Sequence, residues 1–414
     1  MSKVFFYSFL VVLGLIGSQL LTLLPEDIYT TSQHIIRLLT MFCLAFIMIH
    51  VGLEFTLNKK NARSYVKDFF IAATAAGFPW ILCATYFLFF FPLSDSLSIF
   101  DKITEVSLLA HFAAPTSAGV LFSMLAAAKL GSTWMFRKTR VLAIFDDLDT
   151  IIFMIPLKIA LLGFRWELGL VLFIIFFLLL IAWKFLHKFD WPVRWRWVLF
   201  YAIFITLASE AIYHITTGLD DIVAIHIEVL FPAFVLGCII KRPAYNKLLF
   251  DESGLEPRDP TEHRASNIVS ECFMFLVGLY MPPIIHNLFP NQTGHLLEPI
   301  IHISWQMLVV HVIVITILSN IGKMFPALCY RKETSWNNRL AVAIGMFPRG
   351  EVGAGIIVIA LAHGVKGPII AVAVLSLFLN LLLTGGFIAI IKYLVRLKVN
   401  GAAEEVNEAA EGQG

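Results

Sequence analysis

The sequence predicts an all-α polytopic membrane protein of about twelve transmembrane helices, built as inverted repeats with two broken helices crossing at mid-membrane. Three observations carry that expectation. Of 414 residues, 59% are apolar and only 14% charged, about half the roughly 25% charged residues of a soluble domain, so the chain cannot cover a globule of its size with polar surface. Apolar runs of about 20 residues, the length that crosses a bilayer, recur from end to end. Two of these runs, one in each half, are interrupted by Pro and Gly. The net charge of +2 argues against a nucleic-acid partner.

In chain order, charged or Pro/Gly-marked breaks separate runs at about 4–24, 33–57, 67–92, 106–128, 139–162, 167–187, 194–214, 220–240, 266–287, 301–329, 339–363 and 367–396. All are expected to be helical, because the open edge of a strand leaves backbone groups unsatisfied in lipid. The first run follows Met1–Lys3 like a signal peptide. However, it is as long as a full span and ends at Leu24-Pro25 without a small-residue cleavage site, so it reads as the first helix of the mature chain. Cys43, Cys83, Cys238, Cys272 and Cys329 are odd in number and show no CxxC spacing, which suits packing rather than a disulfide framework or a zinc site. The segment Lys241–Arg264 reads as a flexible connection between two halves. Residues 399–414, rich in Ala, Glu and Gly, read as a disordered cytoplasmic tail behind a transmembrane domain of residues 1–398. No attached regulatory domain is expected.

Orientation follows from the basic residues. With both termini inside, 24 of the 31 Lys and Arg fall on the inner side and 5 on the outer, while Lys323 and Arg349 lie within spans. That asymmetry alternates with every helix, as positive-inside topology requires.

A charge at the bilayer centre is costly, from about 2.5 to above about 10 kcal/mol, so the charges inside spans are the informative residues. The fifth run contains Ile144-Phe145-Asp146-Asp147-Leu148-Asp149-Thr150. Counting from Arg140, Asp146 and Asp147 lie roughly 9 to 11 Å deep at about 1.5 Å per residue. Adjacent helical residues diverge by about 100°, so the two carboxylates face neighbouring sectors of one cavity. They cannot both ionise cheaply in low dielectric. Such a pair holds either a proton or a cation. A structural ion pair is the plainer alternative.

The fourth run is broken at Ala113-Ala114-Pro115-Thr116-Ser117-Ala118-Gly119, where freed carbonyls and the Thr116 and Ser117 hydroxyls could coordinate a small cation. In the tenth run, Lys323 can either reach Asp146 or Asp147 or snorkel to the inner interface. The eleventh run is broken at Gly345-Met346-Phe347-Pro348-Arg349-Gly350-Glu351. Arg349 and Glu351 are expected to stabilise broken helix ends or to pair with each other. His50, His111, His226 and His311 stand singly on separate helices, as packing residues rather than metal ligands.

Taken in order, Val51-Gly52-Leu53-Glu54, Thr116-Ser117-Ala118-Gly119, Asp146-Asp147, Gly322-Lys323 and Pro348-Arg349-Gly350-Glu351-Val352 resemble the monovalent cation/proton antiporter superfamily, in its bacterial sodium/proton antiporter branch. The resemblance spans essentially the whole membrane domain. It implies that Asp147 is the principal ligand of the transported cation, that Asp146 is the second acid, and that Lys323 partners the first Asp. It implies electrogenic exchange of cytoplasmic Na⁺ or Li⁺ for external H⁺ without any cofactor. It also implies a homodimer in a bacterial inner membrane, with core helices at about 67–162 and 301–396 sliding against the remainder. The chain departs from some eukaryotic relatives, which carry an acid in the stretch matching Phe112-Ala113-Ala114-Pro115, and from relatives with an extra leading helix. A K⁺/H⁺ exchanger is the same-class rival. A cation channel or a non-transporting sensor is the rival of a different class. An enzyme is not expected, since neither a Ser/His set nor HExxH occurs in a span.

Overall fold

The computed structural model describes residues 2–55, 62–91, 98–131, 133–162, 166–219, 229–241, 260–281, 305–362, 365 and 368–411. The first half contributes α1 (Ser2–Leu21), α2 (Glu26–Glu54), α3 (Ala62–Phe90), α4 (Ile99–Ala110), α5 (Ala118–Ala127), α6 (Trp134–Leu162) and α7 (Trp166–Lys184). The second contributes α8 (Trp195–Leu219), α9 (Leu230–Ile239), α10 (Pro260–Leu279), α11 (Trp305–Gly322), α12 (Pro326–Cys329), α13 (Trp336–Gly345), α14 (Glu351–Ala362) and α15 (Pro368–Glu411). Among the described residues the only β-pairing is an isolated bridge between Phe189 and Ile240.

Among the described residues each expected run coincides with one helix or with a broken pair: the fourth with α4 and α5, the tenth with α11 and α12, the eleventh with α13 and α14. Seven described segments are long and apolar enough to cross a membrane, and shorter apolar helices lie at Leu172–Lys184, Leu230–Ile239 and Glu351–Leu361. About twelve spans result. The α6 helix is long enough at 29 residues, although it carries the three aspartates. Large apolar side chains such as Phe70, Phe89 and Phe204 point outward, as a lipid-facing surface requires.

The structure differs from the sequence expectations at two ends. The second helix starts at Glu26 rather than near residue 33, since the polar turn after Pro25 continues the helix beyond the apolar stretch. The last helix runs to Glu411, past residue 396, where the twelfth apolar run ends. Its Ala402, Ala403, Glu404, Glu405 and Glu408 are strong helix formers, and composition without an apolar face had argued only against packing. The connection Lys241–Arg264, most of which lies at 242–259, falls largely outside the described residues, as do His226 and the start of the eighth run.

Packing displays the inverted repeat. The α1 helix lies on α10 and α2 lies on α9, each pair meeting glycine to glycine. A Cβ on Gly14 would sit 2.1 Å from the Phe275 carbonyl and 3.1 Å from the Gly278 Cα. A Cβ on Gly52 would sit 2.3 Å from the Phe234 carbonyl and 2.9 Å from the Gly237 Cα. Exchanging the first span with the eighth and the second with the ninth turns one contact into the other. Likewise α3 packs on α6 as α11 packs on α15, and α3 meets α11 directly. At that last contact a Cβ on Gly322 would fall 2.4 Å from the Pro79 nitrogen.

At the end of the bundle where α3 and α6 begin, a polar clamp ties three segments. The buried Asp68 carboxylate accepts from Lys138 Nζ at 3.0 and 3.2 Å and from the Tyr330 hydroxyl at 2.7 Å. Lys67 and Lys138 pair with Glu333 at 3.1 and 3.4 Å and flank the Tyr330 ring. Burial and the neighbouring Asp68 carboxylate push the Tyr330 hydroxyl well above the ordinary phenol range, so it stays a donor.

Candidate functional site

Two chain breaks cross beside the α6 aspartates. In the first, α4 tightens into a single 3₁₀ turn, His111–Ala113, and stops. Pro115, which has no N–H to continue the ladder, precedes an extended stretch, and Ser117 then caps α5 by accepting the Val120 N–H at 3.3 Å. In the second break, α13 ends at Gly345 and α14 starts at Glu351, with Pro348 between them.

The breaks are stitched together. Ser117 N–H donates to the Pro348 carbonyl at 2.8 Å. The Thr116 hydroxyl donates to the Met346 carbonyl at 2.9 Å, and the Ser117 hydroxyl to Glu351 Oε2 at 2.6 Å. Gly350 allows the approach, since a Cβ there would lie 3.0 Å from Ser117 Oγ.

Arg349 and Glu351 take different partners. The Arg349 guanidinium donates to the carbonyls of Ala113 (3.0 Å), Ser319 (2.8 Å) and Phe347 (3.2 Å) and to Asn320 Oδ1 (2.9 Å). Its positive charge therefore sits where α4 and α13 present unsatisfied carbonyls, their negative dipole ends. Glu351, in the first turn of α14 and accepting from the cap of α5, sets its carboxyl group at the starts of two half-helices.

Asp146 lies against this crossing with no exposure. Its Oδ2 accepts the Thr116 N–H at 2.7 Å, and Lys323 Nζ donates to Oδ1 and Oδ2 at 2.7 and 2.8 Å. Lys323 also donates to the Ala114 carbonyl at the end of the 3₁₀ turn. It is fully buried and so does not snorkel to the interface. Asp147, one residue on along α6, and Asp149, one turn beyond Asp146, are also buried. The described part of the site thus gathers three carboxylates, one ammonium and the freed backbone of two half-helices in an enclosed, low-dielectric space. Opposite charges are strongly coupled there. A proton or a small cation reaching the acids alters the balance that holds Lys323 on Asp146.

The structure brings Thr116, Ser117, Asp146, Lys323, Arg349 and Glu351 to the crossing by hydrogen bonds, with Asp147 and Asp149 buried on the same helix as Asp146, whereas Gly119 faces Phe273 and Leu44 and Gly345 faces Thr139. The expected freed carbonyls of Ala113 and Ala114 accept from Arg349 and Lys323, and the structure adds two partners that carry no sequence signal of their own, Asn320 and Asn380, whose amide meets Asn320 Oδ1 at 2.9 Å. The described histidines have local partners. His50 bonds the Phe46 carbonyl at 3.0 Å, His111 the Thr150 carbonyl at 3.0 Å, and His311 the Tyr86 hydroxyl at 2.7 Å. All five cysteines are free thiols.

A model of the family described as "Sodium/hydrogen exchanger, transmembrane" matches residues 3–396. Among solved structures, the fold is similar to that of the sodium proton antiporter MjNhaP1 from Methanocaldococcus jannaschii. The two share 14% identity and a TM-score of 0.55, over 92% of this chain and 91% of that one. No curated protein matches the sequence.

Proposed function

Because the chain belongs to the sodium/hydrogen exchanger family, we propose that its cation/proton antiport is the expulsion of cytoplasmic Na⁺, or Li⁺, against entry of external H⁺, with Asp146 and Asp147 carrying the exchanged ions. The observation that carries the reading is Asp146, fully buried and shared by the Lys323 ammonium and the Thr116 N–H where the two broken helices cross. A carboxylate held by a releasable cationic side chain, beside a second buried carboxylate, favours a site in which proton, lysine and metal cation compete for the same oxygens.

In the proposed cycle the outward-facing acids take protons and Lys323 leaves Asp146. The core, α3–α6 with α11–α15, then moves against the other helices and opens to the cytoplasm. Sodium displaces the protons, coordinated chiefly by Asp147, and leaves outward on the return movement. The Thr116 and Ser117 hydroxyls donate their protons to Met346 and Glu351, so their oxygens still have lone pairs to offer a cation. Arg349 and Glu351 hold the half-helices in register and carry no ion. Two protons enter per sodium expelled, which makes the exchange electrogenic. The protein works as a homodimer in a bacterial inner membrane, both termini cytoplasmic.

The test uses the full chain in liposomes with a trapped pH dye and an imposed pH gradient, into which Na⁺, Li⁺ or K⁺ is added. The expected result is a Na⁺- or Li⁺-driven pH change that Asp147→Asn abolishes while the variant keeps its melting temperature. A response to K⁺ alone would establish the potassium exchanger instead. No proton movement with any of the three cations, or movement intact in Asp147→Asn, would overturn the assignment.

A further inference from the structure

A second cluster of metal-ligating side chains lies apart from the aspartates. His34 is on α2, and Glu210 and His214 are on α8, four residues apart and therefore on one face of that helix. The His34 and His214 Nε2 atoms stand 3.7 and 3.4 Å from the same atom, Glu210 Oε1, and the three donor atoms all lie within 4.8 Å of one another. Tetrahedral zinc, with bonds of about 2.0–2.1 Å, holds neighbouring ligand atoms about 3.4 Å apart. The two observed His–Glu distances are close to that spacing. The carboxylate is largely buried while the imidazoles are 47% and 65% exposed, so the anchor is fixed and the approach is open. Arg37 Nη2 bonds both Glu210 oxygens at 2.8 and 2.7 Å. With Oε1 turned to a metal it still orients the carboxylate through Oε2, as an outer-sphere partner does.

We propose that His34, Glu210 and His214 form a three-ligand site for a zinc-class transition-metal ion, with water in the fourth position, joining α2 to α8. The donor set of two imidazoles and one carboxylate favours Zn²⁺ over Mg²⁺, which prefers oxygen ligands and keeps much of its hydration. Neither helix carries a residue of the aspartate site, so the metal acts on the scaffold rather than on the transported ions. The site brings residues from both halves of the chain together.

The experiment is a calorimetric titration of ZnCl₂, and separately MgCl₂, into the full-length detergent-solubilised protein after removal of any purification tag, with melting curves alongside. The expected result is one Zn²⁺ per chain with a rise in melting temperature, and no binding of Mg²⁺. His34→Ala and His214→Ala, both substitutions of exposed side chains, are each expected to weaken Zn²⁺ binding at least about tenfold and to remove the thermal shift. No heat on adding Zn²⁺, or unchanged binding in both variants, would overturn the site.

Discussion

Arg349 shows how much of the crossing rests on one side chain. Four acceptors from three segments converge on its guanidinium, which is almost fully buried. A buried acceptor left without a donor loses about 1–3 kcal/mol. Arg349→Ala is therefore expected to destabilise the protein by at least about 3 kcal/mol, read as a large fall in melting temperature in detergent. Arg349→Lys restores the charge but not the planar fork, so it recovers only part of the loss. Tyr330 yields a different prediction. Its hydroxyl holds its proton more tightly in the folded state than in the unfolded chain, so the Asp68 bond contributes in full below the unfolded value of about 10 and is lost as pH rises above it. Tyr330→Phe should cost about 1.5–3 kcal/mol at neutral pH and flatten the fall in melting temperature above about pH 10. The aspartates, Lys323, Arg349 and Glu351 were legible in the sequence because a charge in an apolar run has no bland explanation there. Asp68, Tyr330, His34 and Glu210 were not. They lie near the ends of runs, where polar residues are ordinary, and their partners are as far as 262 residues away along the chain. Likewise, the choice of Asp146 over Asp147 as the residue Lys323 meets depends on a helix rotation that spacing alone left open.

The helices were legible as apolar runs and their breaks as Pro and Gly within them, so Pro115 and Pro348 marked the fourth and eleventh spans correctly. What could not be read was the packing between helices, because a glycine in a contact and a glycine facing lipid look alike in a sequence. Gly52 and Gly386 illustrate the difference: a Cβ on the first would drive into the Phe234 carbonyl at 2.3 Å, whereas one on the second meets nothing within 4 Å. Gly52→Val is expected to cost about 1–3 kcal/mol or more through overpacking, and Gly237→Val, its partner across the same contact, a similar amount. Gly386→Ala, in the interior of α15, is expected to be neutral or to stabilise by up to about 1 kcal/mol. Melting curves of the three variants in one detergent check the set. Similar losses for Gly52→Val and Gly237→Val with none for Gly386→Ala would show that the glycine contacts, rather than helix propensity, join these halves. The run of α15 to Glu411 shows the opposite limit. Helix propensity was present in its Ala and Glu residues, but the absence of an apolar face masked it.

For the molecule as a whole, the proposed stoichiometry of two protons per sodium has a thermodynamic consequence that separates the exchange from its rivals. If two protons enter for each sodium expelled, one net charge crosses inward per cycle, and an inside-negative potential of about 100 mV contributes about 2.3 kcal/mol. Every 1.4 kcal/mol or so is tenfold in a concentration ratio. With no pH difference across the membrane, vesicles clamped at about −100 mV should thus sustain an outside-to-inside sodium ratio of about 50. Electroneutral exchange sustains a ratio of about one under the same clamp, so the two stoichiometries are far apart. The measurement is ²²Na⁺ distribution at steady state across proteoliposomes holding a valinomycin-set potassium potential. Competition for the acids adds a second, independent expectation. In the proposed cycle sodium binds only carboxylates that have released their protons, so its apparent affinity is expected to rise as pH increases and level off once both acids are free. A sodium ratio that ignores the clamp would assign one proton per cation and deny Lys323 a part in the charge balance. An affinity indifferent to pH would remove Asp146 and Asp147 from the transport path altogether.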